Sequence, residues 1–218
     1  MNVGKDGRDL LVVSYLFTGG NQKLPWLYRW LEDNAVDLAR VMLSSHYRKF
    51  ATLEGDEVTS ANFIDRITSL ASDEQLQALD VLLHLHGLPG ELVFRDEAMS
   101  ISKISEKLQA ANLKKKLRAL YSTACYGMTH AADFVQAGFW VVSGATAVNA
   151  NAVIEYPAFM DAWRDEKTFK SAVYRAPNAL TVAQDNLAEL ILGDALGAIN
   201  SSKQLTGRKY TRITTLVD

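Results

Sequence analysis

Four short apolar runs constrain what this chain can fold into. Residues 10–17, 79–85, 117–122 and 139–143 are each a strand's length, and their apolar residues stand at successive rather than alternate positions. Leu10, Leu11, Val12 and Val13 are the clearest case, as expected of a strand covered on both faces. Between the runs the spacing turns helical. After Pro25 come Trp26, Leu27, Trp30, Leu31, Leu38, Val41 and Met42. Ser60, in an N-cap role, precedes Phe63, Ile64, Ile67 and Leu70, and Ser100 opens a stretch with Ile101, Ile104, Leu108 and Ala111 inward. Residues 47–53 and 91–95 read as further strands, and residues 129–136 and 181–192 as helices, with the region 149–178 less regular between them. Such alternation predicts an α/β fold, a three-layer α/β/α sandwich on a mostly parallel central sheet with right-handed crossovers. The β-branched segment 210–217 could complete that sheet or pair with a second copy.

With 218 residues and 48% hydrophobic content, one core and a single domain spanning residues 1–218 are expected. The 23 basic and 25 acidic residues leave a formal charge of −2, which implies no global attraction to nucleic acid or to an anionic membrane. No apolar run approaches the roughly 20 residues of a membrane-crossing helix. The single cysteine rules out an internal disulfide and residues 1–9 do not read as a signal peptide, so a cytoplasmic protein is expected. No cluster of metal-ligand type stands out, and neither metal nor cofactor is expected.

Two of the apolar runs end in reactive residues. Leu85 is followed by His86 and Gly87, and Ser122 by Thr123, Ala124, Cys125, Tyr126 and Gly127. An open α/β sheet builds its site at the carboxyl ends of its strands, and one crossover can return the chain to the same edge. A thiol needs a base or a positive field to become the reactive thiolate, and His86 is the candidate base. Backbone N–H groups at Gly87 and Cys125 could stabilise an oxyanion formed when Cys125 attacks an amide carbonyl.

These residues resemble the caspase and legumain type of cysteine peptidase, clan CD. That family carries a hydrophobic strand ending in His-Gly, then a second ending in Ala-Cys and often a residue and Gly. Leu82 to Gly87 and Tyr121 to Gly127 match in order and spacing. The continuation Leu88, Pro89, Gly90 is similar to legumain-type members, and CHAT-type members share the pattern. The resemblance implies a caspase-like fold, His86 as general base and acid, Cys125 as nucleophile through a thioester, and an oxyanion hole at Gly87 and Cys125. It also implies a substrate pocket from the ends of the first strand, the cysteine strand and the next strand, near residues 18–22, Thr123, Ser143 and Gly144. A protein or peptide substrate and, through latency, an activating protein partner follow from the family. Legumain and clostripain relatives often carry an acidic residue two positions before the cysteine; here Thr123 stands there, which removes that basis for a basic or asparagine pocket.

Other readings compete. His84 lies two residues before His86 and so on the same strand face, a rival base on geometry. His130 is expected at a helix start or on the surface, His46 in a polar connection, and Asp133 as a solvated carboxylate rather than a pocket residue. Trp26, Trp30 and the apolar stripe of the last helix are expected in the core, and residues 114–116 as a solvated helix end. A caspase-like module with a silent site is the alternative function. A nucleophile-elbow hydrolase or amidotransferase ranks lower, because its cysteine usually precedes the histidine within a Gly-residue-Cys-residue-Gly turn.

Overall fold

The computed structural model describes residues 2–18, 25–113, 115–176, 178–192 and 198–217. β1 (Arg8–Tyr15) leads to α1 (Pro25–Leu43), β2 (Lys49–Glu54) to α2 (Ser60–Ala71), and β3 (Ala78–Leu88) to the short hairpin strands β4 (Glu91–Val93) and β5 (Ala98–Ser100). α3 (Ile101–Ala110), β6 (Leu117–Ser122), α4 (Met128–Ala137) and β7 (Val141–Ala145) follow. The chain then forms α5 (Ala152–Arg164), α6 (Phe169–Val173), α7 (Asn178–Leu192) and β8 (Lys203–Gly207). The main sheet has the order β2-β1-β3-β6-β7-β8. All neighbours along it are parallel except β7 and β8, and the β3-β4-β5 extension is antiparallel.

Successive residues of the central strands feed opposite layers. Leu11 and Val13 of β1, with Leu79, Val81, Leu83 and Leu85 of β3, pack against Phe63 and Ile67 of α2, Ile104 and Leu108 of α3, and Phe134 of α4. Leu10, Val12 and Leu82 face the other way, against Val36, Ala39 and Leu43 of α1, Tyr156, Phe159 and Trp163 of α5, and Phe169 of α6. The fold is therefore the expected α/β/α sandwich. Among the described residues no helix is long and apolar enough to cross a membrane.

Several local expectations shift. β1 starts two residues earlier and stops two earlier than the apolar run, because Arg8 and Asp9 are buried by their own partners: Arg8 Nη1 donates to Ile213 O at 2.8 Å, and Asp9 accepts two bonds from Arg48. β2 begins at Lys49 rather than at residue 47, since Tyr47 leaves the sheet to bury its ring against the α1 and α5 layer. The N-cap of α2 is Thr59, whose hydroxyl accepts from Asn62 N at 3.1 Å; Ser60 instead hydrogen-bonds Asp96 and Glu97.

The terminal segment 210–217 is not a strand. Its alternation buries Ile213 and Val217 over the amino ends of the strands, where Val3 N donates to Thr214 O at 2.7 Å, while Lys203–Gly207 closes the sheet edge. Trp26 and Trp30 are exposed, at 67% and 47%, because the inward face of α1 is set by Ala35, Val36, Ala39 and Leu43. Val182, Leu187 and Leu190 of α7 are likewise exposed rather than core. Lys114, the first of the 114–116 run, lies outside the described residues.

Candidate active site

β3 and β6 are parallel neighbours, so the histidine and the cysteine, 39 residues apart, end at the same edge of the sheet. His84 and His86 both point to the α1 and α5 layer. The His86 ring stands edge-on to Tyr28 of α1 at 5.3 Å between centroids, and the His84 ring edge-on to Tyr156 of α5 at 4.1 Å.

His86 Nε2 lies 2.7 Å from the backbone oxygen of Leu16, just beyond β1. A carbonyl oxygen can only accept, so Nε2 carries the proton and Nδ1 is the basic nitrogen of the neutral ring. Leu16 is itself held in place. Its amide and that of Phe17 donate to Glu32 Oε2 at 2.5 and 2.8 Å, which ties the end of β1 to α1.

Cys125 sits on a constrained turn. Tyr126 has φ 55°, a left-handed conformation that costs a non-glycine residue about 1–2 kcal/mol, and its amide is fixed on Ala147 O at 2.8 Å. Beneath it Gly127 and Gly144 meet backbone to backbone: a Cβ on Gly144 would stand 2.1 Å from the Gly127 carbonyl carbon. Gly87 abuts the cysteine turn in the same way, since a Cβ there would lie 2.2 Å from Cys125 O. The glycine after the histidine thus has a steric reason besides the access to its amide. The sulfur is half-buried and accepts the Asn149 N–H at 3.4 Å. The Asn149 side chain is locked in turn, with Nδ2 donating to Thr123 O at 2.9 Å and to Glu155 Oε1 at 2.8 Å.

Electrostatics set the resting protonation. Burial pushes the Cys125 thiol up, opposed by the Asn149 N–H and by the positive charge of Lys203. Burial pulls His86 down, opposed by its bond to the Leu16 carbonyl and by the charge of Glu32. Both shifts favour the uncharged forms, a thiol and a neutral imidazole. Tyr28, raised first by burial, also senses the Cys125 charge.

The residues expected from sequence are distributed as follows. His86 and Cys125 end at the same sheet edge, and Gly87 abuts the backbone of Cys125. Thr123 is buried, and its hydroxyl lies 2.9 Å from His84 Nδ1 and 3.3 Å from Leu83 O. Ser143 is fully buried, its Oγ without a partner among the described residues, and Gly144 packs on Gly127. Residues 19–22 of the expected pocket lie outside the described residues.

His84 is enclosed, and burial lowers its pKa to about 3, so it stays neutral beneath the site. His130 stands in the first turn of α4, as expected, but is buried rather than at the surface, with Nε2 2.8 Å from Leu88 O and its ring against Gly87, because the turn after Cys125 feeds directly into this helix. Tyr28, Glu32, Asn149 and the Leu16 carbonyl carry no motif that would have marked them.

A surface cleft of about 790 Å³ between Asp161, Lys170, Arg175 and Tyr210 contains neither His86 nor Cys125. Among the described residues no group of three or more histidine, cysteine or acidic side chains is gathered to hold a metal. No protein-family model and no curated protein matches this chain.

Proposed function

We propose that this protein is a caspase/legumain-like cysteine endopeptidase that hydrolyses peptide bonds in protein substrates through His86 and Cys125. The observation that carries the reading is the 2.7 Å contact between His86 Nε2 and Leu16 O, at the same sheet edge as the only thiol of the chain. It fixes one nitrogen as donor and leaves the other as base, the requirement for a histidine that must first take a proton and then return it. His86 Nδ1 takes the Cys125 proton as sulfur attacks the scissile carbonyl, and the oxyanion forms against the backbone amides of Gly87 and Cys125. Collapse breaks the C–N bond, and the proton on Nδ1 passes to the departing amine. Water, deprotonated by the same nitrogen, then cleaves the thioester and restores the thiol. A reducing compartment such as the cytoplasm suits a lone nucleophilic thiol.

Wild type, Cys125→Ala and His86→Ala are compared on a peptide library varied at the residue before the scissile bond. Cleavage by wild type alone is expected, with His86→Ala at least about a hundredfold slower. Full activity in Cys125→Ala would overturn the assignment.

A second reading, a silent caspase-like module that binds a partner, is favoured by the upward shift of the thiol. Iodoacetamide separates the two. Alkylation that falls sharply in His86→Ala supports the peptidase, whereas slow alkylation indifferent to His86 supports the silent module.

A further inference from the structure

A buried ion pair stands one residue, Asn149, behind the thiol. Lys203 Nζ of β8 lies 2.8 Å from Glu155 Oε1 of α5, and both side chains are almost fully enclosed. The ammonium also donates to Ser122 O, on the strand that leads to Cys125, at 2.9 Å, and lies 5.6 Å from the Tyr121 ring centroid. The carboxylate oxygen that holds Lys203 also accepts from Asn149 Nδ2, and Asn149 donates its backbone N–H to Cys125 Sγ. Lys203 of β8 and Glu155 of α5 are thus linked through Asn149 to the sulfur, and Lys203 also to the end of β6.

Enclosing a lysine and a glutamate costs several kcal/mol per ion, and an apolar pair of similar volume is often as stable or more so. A charged pair at this position does something an apolar pair would not: it sets a field at the thiol and fixes the amide that touches it. We propose that Lys203 and Glu155 form a positioning unit that tunes the reactivity of Cys125 through Asn149, with Lys203 promoting the thiolate and Glu155 restraining it. The role rests on Cys125 being the nucleophile. The other groups facing the site are His86 of β3, His84 beneath it on Thr123, Tyr28 of α1 and, beyond His86, Glu32; His130 of α4 lies behind Gly87. Beside these, Lys203 is the cation whose charge lowers the thiol.

The chain has one cysteine, so the rate of iodoacetamide alkylation against pH reads this thiol alone. Lys203→Met is expected to move the alkylation midpoint upward and slow the reaction at pH 7 by about three- to tenfold, since one pH unit is tenfold in thiolate. Glu155→Gln keeps an acceptor for Asn149 but leaves the lysine uncompensated, so the midpoint is expected to move downward. The double variant Lys203→Met/Glu155→Gln, which buries no charge, is expected between Lys203→Met and wild type. It carries the test if Lys203→Met alone does not fold.

Opposite shifts in the two single variants, or a raised midpoint in the double, support the unit. Shifts of one sign, or unchanged midpoints in folded variants, overturn it, because a purely structural pair would not respond to the sign of the charge removed. Alkylation needs no peptide cleavage. Opposite shifts in a protein that cleaves nothing would sink only the peptidase reading, and cleavage with unmoved midpoints would sink only the positioning unit.

Discussion

The two ends of the central strands carry buried polar groups of contrasting kinds. At the amino end, Asp80 of β3 and Arg118 of β6 form a two-bonded pair at 2.9 and 2.6 Å; Tyr47 donates to Asp80 at 2.5 Å, and Trp163 Nε1 to Tyr47 at 3.0 Å. Each of these side chains has a partner, and none is a nucleophile. Toward the carboxyl end, His84 Nε2 of β3, Tyr121 Oη of β6 and Ser143 Oγ of the neighbouring β7 are buried without partners among the described residues. A left-handed Tyr126 and a thiol held by one long bond lie just above them. Unpaired buried groups and strained backbone each cost stability, and such costs gather where a fold carries chemistry. The amino end fixes how β3 and β6 are placed, and the carboxyl end uses that placement.

The contrast breaks most visibly at Arg118. Arg118→Met leaves the Asp80 charge buried without its cation, with Tyr47 as a remaining donor, and a loss of about 3–5 kcal/mol is expected in urea unfolding, with the alkylation midpoint of Cys125 unchanged in the folded fraction. A thiol midpoint that moved with Arg118 would show the two ends to be one network.

His84 gives a smaller, pH-dependent effect. Its pKa in the folded protein is about 3, below its ordinary value, so between those limits the unfolded chain binds the extra proton and stability falls as pH falls. At about 1.4 kcal/mol per pH unit, lowering the pH from 6.5 to 5 is expected to cost wild type about 1 to 2 kcal/mol more than His84→Gln. Equal slopes in the two proteins would remove His84 from the acid response.

The mildest change sharpens the carboxyl end alone. Glu32→Gln weakens the clamp on the Leu16 and Phe17 amides, and a fall in kcat of about tenfold with little change in KM is expected from a loosened His86. A rise in KM at constant kcat would instead assign Glu32 to substrate binding.

The layered sheet was legible because burial on both faces leaves continuous apolar runs, and β1, β3, β6 and β7 all lie on such runs. The position of His86 and Cys125 followed from their places at run ends. The closing strand was misplaced because β8 buries a lysine and exposes Gln204, a polar pattern, while Ile213 and Val217 alternate like a strand yet cap the opposite end of the sheet. Trp26 and Trp30 fit a helical period but lie off the face of α1 that Ala35, Val36, Ala39 and Leu43 bury. Asn149 and Glu155 fell in the stretch without clear periodicity, and no side-chain motif marks a partner supplied by the main chain.

That last point changes how this protein responds to mutation. The group that orients His86 is a peptide carbonyl, and every side chain that could replace Leu16 brings the same oxygen with it. Saturation mutagenesis at that position would register the shape of the loop and overlook the contact itself. A change to the main chain, such as an ester in place of the 16–17 amide, reaches it directly, so a genetic screen for the proposed activity would return the histidine and the cysteine without the carbonyl that holds the ring.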